Sequence, residues 1–298
     1  MKILITGGTG FIGSALTRKF LEQGHHVTIL SRSREKVTTL FAGKVTPLTD
    51  LGQLSARETF DVVINLAGAP IFAQRWSERR KKTLRDSRIA LTEKLVNAIA
   101  VMEQKPQLLI SSSAIGYYGD QGDEILTEES NSVDDFPHRL CADWERAALQ
   151  AEQHSVRVCL IRTGLVLGPG GGLLKQMLLP FKLGLGGRIG NGKQWMSWIH
   201  LQDWLSIAET MIDDPTMQGA YNATAPTPVT NRQFTETLAK VLKRPACLPI
   251  PAFALETLLG EMSGLVLGSQ RVLPDRLLKQ GFRFAYTDLT SALTDIVH

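Results

Sequence analysis

Thr6-Gly7-Gly8-Thr9-Gly10-Phe11-Ile12-Gly13 follows the apolar run Lys2-Ile3-Leu4-Ile5 and opens a stretch with Phe11, Ile12, Ala15, Leu16, Phe20 and Leu21 at helical spacing. The order is strand, turn, helix. Gly8, Gly10 and Gly13 fit G-x-G-x-x-G, while Gly7, Gly10 and Gly13 fit G-x-x-G-x-x-G, and spacing alone does not choose between them. A residue without Cβ lets the backbone turn tightly and approach a pyrophosphate. The free N–H groups and positive end of the following helix favour that charge. The stretch therefore reads as a dinucleotide cradle formed by Gly7, Gly10, Phe11, Ile12 and Gly13.

Gly24 stops the first helix, and His26-Val27-Thr28-Ile29-Leu30 reads as a second strand ending in Ser31-Arg32-Ser33-Arg34. An acidic residue about twenty positions past the glycines grips the ribose 2′-hydroxyl of NAD, whereas an Arg accommodates the 2′-phosphate of NADP. Here no carboxylate occurs before Glu35, so Ser31 and Arg32 predict NADP. Asp61-Val62-Val63-Ile64-Asn65-Leu66-Ala67-Gly68 has the near-continuous apolar texture of a buried parallel strand, and its small terminal residues leave room for a ligand. One long helix is predicted from Ser77 to Met102. Leu108-Leu109-Ile110 then leads into Ser111-Ser112-Ser113-Ala114, and Val156 to Ile161 supplies another strand. This alternation predicts an α/β fold, a Rossmann-type doubly wound parallel sheet whose ligands lie beyond the carboxyl ends of the strands.

Past Arg162, glycines at 168, 170–172, 184, 186, 187, 190 and 192 interrupt the alternation, and loops are expected there. Helical patterns follow at Gln202 to Ile212, Asn231 to Leu242 and Asp288 to Val297. Residues 1–165 are read as the NADP-binding domain and 166–298 as a smaller C-terminal α/β domain for a substrate or partner, with the chain near 201–230 a candidate to return to the first.

Composition fits a globular protein: 298 residues, 43% hydrophobic and 21% charged. The net charge of +4 gathers at Arg75, Arg79, Arg80, Lys81, Lys82, Arg85 and Arg88, which lack an aromatic ladder and read as a solvated helix face, not a nucleic-acid surface. Cys141, Cys159 and Cys247 have neither disulfide nor metal-ligand spacing. No apolar run has the length of a membrane span or signal-peptide core, and a cytoplasmic protein is expected. A homodimer is compatible with these features.

Several ordered motifs resemble the extended short-chain dehydrogenase/reductases, the NAD-dependent epimerase/dehydratase family. They are TGGTGFIG, Asn65 to Gly68, Ser111 to Ala114 before Tyr118-Gly119, Arg162 to Gly168-Pro169, and Gly190-x-Gly192-x-Gln194 followed by Ile199-His200-x-x-Asp203. Leu84-x-x-Ser87-Arg88, Leu140-Cys141-x-x-Trp144-Glu145, Leu183 to Gly187 and Gly268-x-Gln270-Arg271-Val272-x-Pro274 are similar to the YfcH-type members, which carry a C-terminal segment of unknown function. The resemblance implies that Ser31 and Arg32 meet the 2′-phosphate. It places Leu66, Ala67 and Gly68 along the cofactor, with Arg88 and Leu165 approaching it, and makes Ser113 the serine that orients a substrate oxygen.

The family's proton donor is a Tyr placed four residues before a Lys, which tunes a phenol of pKa about 10. Registering Glu145 on the family's glutamate puts Pro137 and Cys141 at those two positions. Tyr117, Tyr118, His138 and Cys141 lie nearby; Tyr118, at the exit of the serine strand, ranks first as the replacement and His138, one residue from the missing Tyr, second. Met196-Ser197-Trp198 stands where nucleotide-sugar enzymes carry a diphosphate-binding Arg. Trp195, Trp198 and Phe181 therefore fit either a flatter, less charged ligand or an interdomain core. Two functions remain open: an NADP-dependent oxidoreductase or epimerase acting on a small carbonyl or alcohol, and a non-catalytic NADP(H)-responsive regulator.

Overall fold

A computed structural model describes residues 1–298. Seven strands, β1 (Lys2–Thr6), β2 (His26–Leu30), β3 (Thr46–Leu48), β4 (Val62–Asn65), β5 (Leu108–Ala114), β6 (Arg157–Thr163) and β7 (Gly219–Ala223), form one sheet in the order β7-β6-β5-β4-β1-β2-β3. Every neighbouring pair is parallel. The side-chain period of two divides β1 between two cores. Ile3 and Ile5 face Leu16, Phe20 and Trp204 on one side; Leu4 faces Leu95, Ile99 and Val158 on the other. Burial on both faces is why these strands read as unbroken apolar runs.

Helix Leu201–Asp213 packs Trp204, Ile207 and Met211 into the first of these cores, and β7 then adds the outermost strand beside β6. The chain thus returns to the main sheet at 201–223. A separate core of Leu167, Leu174, Phe181, Trp198, Phe234 and Leu293 holds the C-terminal part together. Part of the glycine-rich region folds as helix Gly172–Lys182, because Leu174 and Phe181 bury one face despite the flanking glycines. The long helix after β4 begins at Glu78, capped by the Ser77 side chain, and runs to Val101, with one π turn at Asp86–Ala90 in place of a regular α-helical one.

Asp203, 1% exposed, accepts hydrogen bonds from the backbone amides of Ala285 (2.7 Å) and Tyr286 (3.0 Å), and the His200 ring lies 3.9 Å from that of Tyr286. The Ile-His-x-x-Asp stretch therefore ties the segment leading into helix Leu289–Val297 to the edge of the sheet. No helix is long and apolar enough to cross a membrane.

Candidate cofactor and active site

β1 releases the chain into Gly7 at φ +70°, where a Cβ would lie 2.7 Å from the Leu66 carbonyl carbon. A Cβ on Gly13 would strike the Gly7 carbonyl oxygen, whereas at Gly8 it would meet only the Ile29 side chain. Backbone leaves no room at 7 and 13, so the G-x-x-G-x-x-G reading is the one the turn requires. Gly10 caps helix Phe11–Glu22 without a side-chain acceptor, and the first turn carries no acidic residue. Its N–H groups are open to an anion, which fits a dinucleotide pyrophosphate. Phe11 packs against the loop at Gly168, Gly171 and Gly172, where a Cβ on Gly171 would collide with its ring, and Ile12 rests on the sheet core. At the tip of β2, Ser31 is half-buried and Arg32 exposed.

Beneath this cradle lies a buried polar net. Thr6 Oγ1 donates to Asn65 Oδ1 (2.7 Å) and accepts from the Ala67 amide (3.1 Å). Asn65 Nδ2 donates to Thr92 Oγ1 (2.7 Å) and Ser111 Oγ (3.1 Å), and Trp144 Nε1 also reaches Thr92. Satisfied inside the fold, these groups fix the Leu66-Ala67-Gly68 turn. Arg88 projects from the π turn across Gly68. It donates to the carbonyls of Ala69 (3.1 Å) and Leu84 (3.3 Å) and sits 5.4 Å over the Trp144 ring, without a carboxylate partner. Burial lowers its pKa. An incoming anion would relieve that desolvated charge. Leu165 lies half-buried against the C-terminal core.

Strand register builds the second cluster. Ser113 of β5 stands opposite Arg162 of β6, which stands opposite Asn222 of β7. The Ser113 hydroxyl donates to Glu145 Oε1 at 2.6 Å, and Arg162 grips both Glu145 oxygens, each at 2.9 Å. Another Arg162 nitrogen donates to Tyr118 Oη (3.1 Å), whose own hydroxyl donates to Asn222 Oδ1 (2.7 Å). The guanidinium also lies 3.4 Å from the Tyr117 ring centroid. Glu145, Arg162 and Asn222 were not assigned a role from sequence. Glu145 and Arg162 stood in the sequence only as members of motifs and Asn222 in none; Glu145 lies on helix Phe136–Leu149, and Arg162 and Asn222 near the ends of two strands.

Tyr118 does not stand in the cleft as its place at the end of the serine strand implies. It is fully buried, its hydroxyl is held by Arg162 and Asn222, and burial pushes its pKa up to about 12, the nearby Arg162 offsetting only part of that shift. The Arg162 and Asn222 partners at the adjoining strand ends draw it under the sheet's edge. His138 is turned from Ser113 as well. Its Nδ1 lies 2.6 Å from the Tyr117 carbonyl oxygen and its Nε2 3.4 Å from Ser132 Oγ. Cys141 lies beside Ser113, buried, its thiol pushed up to about 12 by that burial. Trp198 and Phe181 belong to the C-terminal core and do not line a ligand surface; Met196 and Ser197 are buried with them. Trp195 stays half-exposed, donating from Nε1 to Asp123 (2.8 Å), with Arg271 4.3 Å over its ring.

The family model for the NAD dependent epimerase/dehydratase family matches residues 3–223, and one for a domain of unknown function, DUF1731, matches 250–296. The epimerase family protein YfhF of Bacillus subtilis is 40% identical over 300 residues, covering 100% of this chain and 98% of its own. The chloroplastic SDR39U1 homolog of Arabidopsis thaliana is 39% identical over 303 residues, with 100% and 87% covered. Among solved structures, human epimerase family protein SDR39U1 (isoform2), crystallised with NADPH, superposes with a TM-score of 0.91 at 34% identity over 99% of each chain. The family match over residues 3–223, with relatives about as long as this chain and up to 40% identical to it, places this chain in the NAD-dependent epimerase/dehydratase family.

Proposed function

We propose that this chain binds NADPH in preference to NADH and serves as an oxidoreductase for a small alcohol or its carbonyl counterpart held above Ser113. The observation that carries the reading is the bare-backbone turn at Gly7 and Gly13, followed by an uncapped helix end and by Ser31 and Arg32 at the next strand tip. When bound, the nicotinamide supplies or takes up a hydride. The glycine turn and helix N-terminus hold the pyrophosphate, Arg32 meets the 2′-phosphate, and Arg88 lends positive charge above Gly68. Leu66, Ala67 and Leu165 line the bound cofactor.

Ser113 orients the substrate oxygen. Its hydroxyl proton points at Glu145 Oε1 (2.6 Å), so its lone pair meets the O–H of an alcohol; as the hydride leaves for the nicotinamide, the alcohol's proton would pass to Ser113 Oγ and the serine's own proton to Glu145. The engagement of Tyr118, His138 and the Ser113 proton within the fold favours a second reading, in which cofactor binding without turnover signals to a partner. Nicotinamide absorbance, followed while alcohols with NADP⁺ and carbonyl compounds with NADPH are screened, tests the first reading. Turnover that falls roughly a hundred-fold in Ser113→Ala while NADPH affinity holds supports it. Tight NADPH binding with no turnover across the screen moves the assignment to the second.

A further inference from the structure

Pro251 to Leu267 is a largely apolar stretch, yet its only buried apolar side chain is Met262, in the turn between its two helices, and no side chain of those helices joins a hydrophobic core. Helix Ala252–Leu259 buries no residue completely, nor does helix Gly264–Leu267. Ordinary folding does not leave so much apolar surface without a partner.

Its anchors show where it lies. At one end, Ile250 accepts from the Gly190 amide (2.8 Å) and donates to the Arg188 carbonyl (2.9 Å), while Gln194 Nε2 reaches the Val266 carbonyl (3.4 Å). Ala252 and Leu267 both close on Gly190, so the two helices leave and return at one base. At the other end, the turn at Gly260 packs against the Arg75 guanidinium, and Glu261 pairs with Lys81 at 2.6 Å. Arg75 and Lys81 follow the carboxyl end of β4. Ser269, just past the returning helix, donates its amide to Asp120 in the loop after β5 (3.1 Å). The segment is therefore a helical hairpin arm about 12 Å long that crosses from the C-terminal part to the rim of the cofactor cleft. Its outer side shows Phe253 and Leu258, 70% and 67% exposed. Ala252, Leu255 and Leu259, on the other helical face, are half-buried.

We propose that this arm is a wall of the substrate site, and that the substrate carries an apolar body beside its reacting oxygen, received by Leu255 and Leu259. The proposal rests on the reading that a small molecule is held above Ser113. It assigns a ligand-binding role to the C-terminal segment. The arm's position between the two rims of the cleft, with its ends fixed and its apolar middle without a core, favours a ligand beneath it over a second copy of the chain above it.

The test is the binding of straight-chain alcohols, butanol to decanol, to the NADP⁺-loaded full chain, read by displacement of an apolar fluorescent dye. Affinity should tighten roughly three- to four-fold per added methylene, the factor that ~0.8 kcal/mol per buried CH₂ converts to. The double substitution Leu255→Ser, Leu259→Ser should flatten the series, whereas Phe253→Ser on the outer face should leave it intact. An unchanged NADPH affinity shows that the variants fold. In the unmutated protein, amide hydrogen exchange within 252–267 should slow with decanol and not with butanol, which keeps the test decisive if the double variant misfolds. A flat series overturns the proposal, and so does a series untouched by the double substitution. Equally damaging would be a dimer, seen by sedimentation, that Leu255→Ser, Leu259→Ser converts to monomer. Dye displacement needs no turnover, so chain-length selectivity without nicotinamide oxidation or reduction would leave the arm assigned and remove only the oxidoreductase reading.

Discussion

Arg32 and Glu145 show how one charge acts differently at a surface and in a core. Arg32 stands exposed at the tip of β2, where a charge-assisted contact to a 2′-phosphate is worth roughly 1.5–3 kcal/mol. Arg32→Ala should thus reduce the preference for NADPH over NADH by roughly ten- to a hundred-fold, measured by calorimetry with both cofactors. Equal affinities in the unmutated protein would remove the 2′-phosphate assignment. Glu145 is 6% exposed and neutralises Arg162 through two hydrogen bonds. Replacing it by Gln leaves a buried guanidinium without its counter-charge, and the expected loss is about 3–5 kcal/mol in urea unfolding. A loss below about 1 kcal/mol would mean that water reaches the pair. Tyr118 marks the same boundary. A tyrosine beside a serine strand invites a catalytic reading, but the two neighbouring strands supply it with Arg162 and Asn222 and draw the phenol inside.

Among the elements, helix Leu201–Asp213 has the widest consequences, because it both fills the main core and fastens the C-terminal segment. His200, just before it, is 4% exposed, and burial lowers its pKa despite the opposing pull of Asp295. A depressed imidazole contributes stability that is present above its ordinary value of about 6.5 and lost as pH falls through the folded value. Melting temperature should therefore drop between about pH 7 and pH 5, and His200→Gln should flatten part of that drop. An identical pH profile for the variant would dismiss His200 as its source. Asp203 acts with the opposite sign: burial raises its pKa, so its relative contribution declines as pH rises through its folded value. Asp203→Ala strips the acceptor from the amides of Ala285 and Tyr286. The change should cost roughly 1–3 kcal/mol for each amide left unpaired and release the final helix to proteolysis before global unfolding.

For the molecule as a whole, cofactor binding and stability are linked. NADPH at a hundred times its dissociation constant should stabilise the fold by about 2.7 kcal/mol. For a chain of this size that is a rise of roughly 4–5 °C in melting temperature. NADH at the same concentration should give a smaller rise, and Ser113→Ala should leave the NADPH shift intact, because the serine lies in the cluster beyond the cradle. A Gly13→Ala chain should lose the shift, since its Cβ meets the Gly7 carbonyl oxygen across the turn. An unaltered shift in Gly13→Ala would show that the turn can open and that the cradle is not the binding site.

The order of strands and helices and the glycine turn were legible in the sequence because they are local, as is the charge of Arg32 on which the 2′-phosphate proposal rests. Chain periodicity, a missing Cβ and one residue's charge carry them without reference to distant partners. Gly7 and Gly13 could be told from Gly8 only by the Leu66 and Gly7 backbone that presses on them. The Ser113–Glu145–Arg162–Tyr118–Asn222 cluster joins residues up to 109 positions apart, and only the parallel register of β5, β6 and β7 brings them together. The hairpin arm was illegible for a related reason. Pro251 to Leu267 has the composition of a core, and its sequence carries no sign that the chain would stretch it between two rims of a cleft, with Lys81 at its tip and no core of its own. Propensity and pattern fix what a segment becomes, whereas long-range packing fixes what it faces, and the chemistry of this site depends on the second.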